Sequence, residues 1–106
     1  MATSNQLITV LSNHIGKGNG ISAKELATRL GMDETRPLRK LISQAIEHDN
    51  VAICGTPRDG YYIASTGEEL IETIEWHDHR AKHELNKSSR LRKMLGDLFG
   101  QIHLPT

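Results

Sequence analysis

The sequence predicts a mainly α-helical fold carrying one small antiparallel β-hairpin, an α+β chain. Three stretches predict it. In residues 33–50, Leu38, Leu41, Ile42, Ala45 and Ile46 recur at helical spacing and make one apolar stripe. In residues 51–64, the β-prone runs Val51-Ala52-Ile53-Cys54 and Tyr61-Tyr62-Ile63-Ala64 flank Gly55-Thr56-Pro57-Arg58-Asp59-Gly60, a segment full of turn formers. In residues 65–99 no proline interrupts a 4-3 spacing of Leu70, Ile74, His77, Ala81, Glu84, Ser88, Leu91, Leu95 and Leu98, so this part is helical as well.

Composition bounds the function. At 106 residues the length suits a single domain. With one Trp, one Phe and two Tyr, the core has to be aliphatic. The longest apolar run is far too short for a membrane span, and no signal-peptide h-region opens the chain. Cys54 is the only cysteine, which rules out an intrachain disulfide and fits a reducing cytoplasm. The formal net charge is zero, which counts mildly against a nucleic-acid binder. Residues 1–64 hold seven basic and six acidic side chains, so DNA affinity has to come from clustering of charge.

Taken in order, residues 1–4 are expected to fray. Ser4 or Asn5 caps a first helix running to about His14, with Leu7, Ile8, Leu11 and Ile15 on its apolar stripe. Gly16-Lys17-Gly18-Asn19-Gly20 ends it as a flexible turn, and Ile21 is placed to pair with the hairpin. Ser22-Ala23-Lys24-Glu25 is a capping box for a short helix with Leu26, Ala27 and Leu30 inward and Gly31 as its stop. The next helix starts three residues later, with Asp33 as cap and Pro37 in its first turn, and stops near His48-Asp49-Asn50. In the hairpin, Val51, Ile53, Tyr61 and Ile63 alternate and are expected to face the core.

Two helices joined by so tight a turn, the second with a basic outer face, make a helix-turn-helix. On that face stand Thr35, Arg36, Arg39, Lys40 and Ser43, and Arg58 sits near the hairpin tip. Arginine forks donate two bonds to guanine edges, while lysine and serine suit phosphates.

ISAKELATRLGM, LRKLISQAI and VAICGTPRDGYYIA together resemble the N-terminal winged-helix domain of biotin-repressor-type regulators, and small winged-helix proteins of phages and prophages. The resemblance covers residues 6–64 and is most specific at Gly60-Tyr61-Tyr62-Ile63-Ala64. It implies a winged helix-turn-helix over residues 1–64. The chain departs from the biotin-repressor pattern in having no ligase domain and about one more residue before the recognition helix.

Residues 65–99 form a C-terminal helical extension, and residues 100–106 a tail. Ser65 and Thr66 with Glu68 and Glu69 offer two overlapping capping boxes. The extension is expected to be either one helix of about 30 residues, on the order of 45 Å long, or two helices broken at Asn86-Lys87-Ser88-Ser89. Residues 68–78 are acidic and residues 80–93 basic. An antiparallel homodimer through residues 67–98 is therefore expected, with Leu70, Ile71, Ile74, His77, Ala81, Leu91, Leu95 and Leu98 as the dimer or docking seam. Folding of the helix back onto its own domain is the competing arrangement.

No enzyme constellation stands out, and no cofactor or metal is expected. Glu75, His79 and His83 recur every four residues but supply too few ligands for a closed site. Trp76 and Arg80 are spaced for a cation–π pair, but packing at a helix interface is the favoured expectation. The expected function is sequence-specific binding of double-stranded DNA by a small regulator of transcription or phage-type replication, in a bacterial or phage-infected cytoplasm. The rival is a winged-helix module that docks a protein partner in a replication or remodelling assembly.

Overall fold

A capping box opens the first helix. The Thr3 hydroxyl accepts from the Gln6 amide at 3.3 Å and the Gln6 side chain accepts from the Thr3 amide at 2.9 Å, so Thr3, not Ser4 or Asn5, is the cap of α1 (Ser4–Leu11). The computed structural model describes residues 2–80 and 85–100.

Helix α1 stops at Leu11 rather than His14 because the groups beyond it pair elsewhere. The Ile63 amide donates to the His14 carbonyl at 2.9 Å, and the Gly16 amide donates to the Ile63 carbonyl at 2.9 Å. Ile15 therefore leaves the buried stripe for the sheet edge and is 49% exposed. The glycine-rich turn is tied down on several sides. Residues Lys17–Asn19 form a 3₁₀ turn, Asn19 Nδ2 donates to the Ile15 carbonyl at 2.8 Å, and the Lys17 amide donates to Glu69 at 2.8 Å. A Cβ on Gly20 would lie 2.0 Å from the Asp59 carbonyl oxygen, so glycine is what lets this segment cross the hairpin. Ile21 pairs with Tyr61 there, through bonds of 2.9 and 2.7 Å.

Helix α2 (Ala23–Arg29) is capped by Ser22, whose hydroxyl accepts from the Glu25 amide at 3.2 Å. The reciprocal half of the expected box is not made; the Glu25 carboxylate pairs with Arg29 at 3.1 Å instead. Gly31, at φ +72, turns the chain out, with its amide on Thr28 and the Met32 amide on Ala27. Helix α3 (Thr35–Glu47) begins with Glu34 at the cap position, one residue beyond Asp33, and without a side-chain cap bond. All five residues of its apolar stripe are buried.

Strands β1 (Ile53–Thr56) and β2 (Gly60–Ile63) pair antiparallel in the register Ile53–Ile63, Cys54–Tyr62, Gly55–Tyr61 and Thr56–Gly60. The turn is three residues, Pro57-Arg58-Asp59, and Gly60 closes it at φ +74. Gly55 and Thr56 thus belong to the ladder, and Val51 and Ala52 fall outside it. Facing also differs from the expected alternation. Cys54 and Tyr62 are buried along with Ile53, while Val51, Tyr61 and Ile63 are half-buried. The cause is helix α4 (Gly67–Arg80), which covers the face the alternation left to solvent; the Cys54 thiol lies against the Glu69 carbonyl, with a 3.8 Å contact.

The extension is two helices, α4 and α5 (Leu85–Phe99), so Ser88 and Ser89 lie inside α5 rather than at a break. Helix α5 turns back along α4 and onto α3. Leu70, Ile74, His77, Leu91 and Leu95, expected to meet a second chain, are buried within this one, in the core that also holds Leu7, Leu38 and Tyr62. Ile71 is half-buried, Leu98 is 58% exposed, and Ala81 lies outside the described residues. The charge match expected between copies is made in cis, where Asp78 accepts from Ser88 and Arg92. The result is a mainly helical chain with a small two-stranded antiparallel sheet. Among the described residues, no helix is long and apolar enough to cross a membrane.

Candidate functional site

Burial of the α3 stripe fixes what the opposite face presents. Arg36, Arg39 and Lys40 are exposed, and Thr35 and Ser43 are half-buried beside them. The Ser43 hydroxyl donates to the Arg39 carbonyl one turn back at 3.0 Å, which leaves its oxygen lone pairs outward. Arg58 stands exposed at the hairpin tip. The tip is held by Thr56, whose hydroxyl donates to the Asp59 carboxylate at 3.0 Å and accepts from the Asp59 amide at 3.1 Å.

Residues of α3, the hairpin, α4 and α5 line a groove of about 590 Å³. Arg39 and Arg58, from two separate elements, both line it, as do Arg80 and Lys87. Among the described residues, Asp59 is the one carboxylate in the lining. Thr35, Arg36, Lys40 and Ser43 are not part of the lining and extend the α3 face beyond it.

Ion pairing sorts the cations into two sets. Lys17 pairs with Glu72 at 2.7 Å and lies 3.9 Å from Asp59; Arg29 pairs with Glu25 and Arg92 with Asp78. Arg36, Arg39, Lys40 and Arg58 meet no carboxylate among the described residues. Among the described residues Lys24, Arg90 and Lys93 meet none either, so the uncompensated cations include those of α3 and the hairpin tip without being confined to them.

Trp76 and Arg80 form the cation–π pair, the less favoured of the two expectations, with the guanidinium carbon 4.8 Å from the ring centroid. Sequence reasoning missed that the pair shares a groove with Arg39 and Arg58. The spacing of residues 76 and 80 identifies the pair, but only the packing of α4 on β1 brings it to that place.

A second polar cluster is structural. Burial pushes the Cys54 thiol up to about 12, and it raises the Tyr62 phenol as well; the neighbouring Thr73 hydroxyl opposes both shifts. A thiol held protonated on a buried strand is a poor nucleophile. Burial also works to raise Glu69, but the Lys17 and Ser65 amides and the Ser65 hydroxyl, each at 2.8 Å, outweigh it and hold the carboxyl below its ordinary value. The hydrogen bond from Lys17 to Glu72 raises the lysine in turn. Glu75 and His79 are exposed on α4, and His83 lies outside the described residues. Among the described residues no three His, Cys, Asp or Glu side chains are placed to hold a metal ion.

Compared with known protein families, characterised proteins and solved structures, the chain matches none.

Proposed function

We propose that this chain is a winged helix-turn-helix module that binds double-stranded DNA in a sequence-specific way, as a small regulator of transcription or of phage-type replication. The order of elements supports the reading: α1, the Ile21 bridge to Tyr61, α2, a tight glycine turn, α3, then the hairpin. The observation that carries it is the charge arrangement. Arg39 on α3 and Arg58 on the hairpin line one groove uncompensated, while Lys17, Arg29 and Arg92 are each matched to a carboxylate. In this reading α3 enters a major groove, where Arg36 and Arg39 address base edges and Thr35, Lys40 and Ser43 the backbone. Arg58 lies on phosphate beside it.

Docking of a protein partner is the second reading, and the zero net charge favours it. A fluorescence-anisotropy titration with random duplex at two salt concentrations separates the two. Duplex binding with a log–log salt slope between about −2 and −4 is expected from a few neutralised phosphates. No binding at low salt would refute the DNA reading.

A homodimer through residues 67–98 carries a structural requirement. With five of the seam residues inside one core, a second copy engages the seam only if α5 leaves its own domain and takes the same place in the partner.

A further inference from the structure

We propose that the groove is also a binding site for a small anion carrying a planar aromatic ring, of about mononucleotide size. Its volume of about 590 Å³ falls in the range of small-molecule pockets, roughly 300–1,000 Å³. Three features of the lining define the ligand. The floor is apolar, made by Ile42, Ile46 and Ile53. One wall is Trp76, half-buried, met edge-on by His77 at 5.2 Å and covered on its face by the Arg80 guanidinium. A guanidinium placed over a ring is itself planar and offers a further surface on which a planar group can stack. The remaining charge comes from Arg39 on α3 and Arg58 on the hairpin. Asp59 opposes them weakly, since Thr56 and Lys17 already engage its carboxylate.

Each feature excludes a simpler occupant. Inorganic phosphate would satisfy the arginines but leave the floor and the Trp76–Arg80 wall empty. A neutral ring would fill the wall but leave the arginines without a counter-charge. One molecule carrying both a planar ring and an anionic group answers both. Seated there, it neutralises Arg39 and Arg58 and so competes with duplex. That competition rests on the DNA-binding reading; occupancy of the groove does not.

Trp76 is the only tryptophan in the chain, so its fluorescence reports on the groove directly. The test is a titration of the full chain with adenosine monophosphate, followed by fluorescence and by calorimetry, with adenosine and inorganic phosphate as separate arms. A saturable change with a Kd below about 1 mM is expected. Adenosine and phosphate should each bind about tenfold or more weakly, and Arg80→Ala and Arg58→Ala should each weaken the nucleotide by roughly tenfold. Both side chains are exposed, so the variants should keep the wild-type circular dichroism. No saturable nucleotide binding by a folded chain would overturn the proposal. So would phosphate binding as tightly as the nucleotide, or affinity indifferent to both substitutions. Nucleotide binding by a chain that binds no duplex would support the groove site and count against the DNA reading alone.

Discussion

Arg39 and Arg58 are held in different ways, and this separates their expected roles. Arg39 rides on a helix whose inward stripe is entirely buried, so its position along the helix axis is set by packing. Arg58 stands on a three-residue turn pinned by Thr56 and Asp59. A side chain on a rigid helix suits base edges; one on an exposed turn suits phosphate. Arg36→Ala and Arg39→Ala should therefore each cost roughly 1–3 kcal/mol at the preferred site and less on random duplex. Arg58→Ala should weaken all duplexes by a similar factor and flatten the log–log salt slope by about one. Anisotropy titrations over several duplexes check both. A selective loss at one base position in Arg58→Ala would mean that the hairpin reads sequence.

The junction where α4 meets the glycine-rich turn depends on one carboxylate at the scale of elements. Glu69 accepts from the Ser65 amide and hydroxyl at the head of its own helix and from the Lys17 amide across the chain. Its carboxyl is held below the ordinary value in the folded state. The stability it contributes is thus fully present above the unfolded carboxylate value, near about 4.3, and is lost as pH falls through the lower folded value. Glu69→Gln should cost on the order of 1–2 kcal/mol at neutral pH, from weakened amide acceptance. It should also reduce the loss of stability between neutral pH and that acid range. Urea unfolding at several pH values measures both; an unchanged acid limb in the variant would show that Glu69 is not the group responsible.

The return of α5 decides what substitutions in the seam report, at the scale of the whole molecule. Leu91 is fully buried in its own core and Leu98 is 58% exposed. Leu91→Glu should therefore unfold the chain or cost about 4 kcal/mol or more, since it buries a charge where a side chain packed. Leu98→Glu should leave the unfolding midpoint nearly unchanged. Circular dichroism with urea distinguishes the two. By the same argument, sedimentation equilibrium at micromolar concentration should give a monomer, because the seam is satisfied within one chain. On the DNA-binding proposal, such a monomer would present one α3 to a duplex and read a single site rather than a two-fold pair. A dimer would instead point to exchange of α5 between copies.

Local pattern alone determined the stripe of α3, the hairpin, the Ser22 cap and the Gly31 stop. Each depends on residues within a few positions of one another, where helical periodicity, side-chain capping and left-handed glycine act without reference to the rest of the chain. The outward cluster of Arg36, Arg39 and Lys40 was legible for the same reason, being the complement of the stripe. The hairpin's facing was not, because alternation in a strand names two faces and does not say which will be covered; α4 covers both Cys54 and Tyr62 from the side left to solvent. The destination of the seam was equally hidden. An apolar face with matched charges is satisfied by any complementary face, on its own chain or on another. Tertiary structure chose the one in cis, where α4 and α5 belong to one chain and so meet at a far higher effective concentration than two separate copies do. One residue of the groove depends on that choice: Lys87, on α5, joins Trp76 and Arg80 of α4 in the lining because α5 folds back.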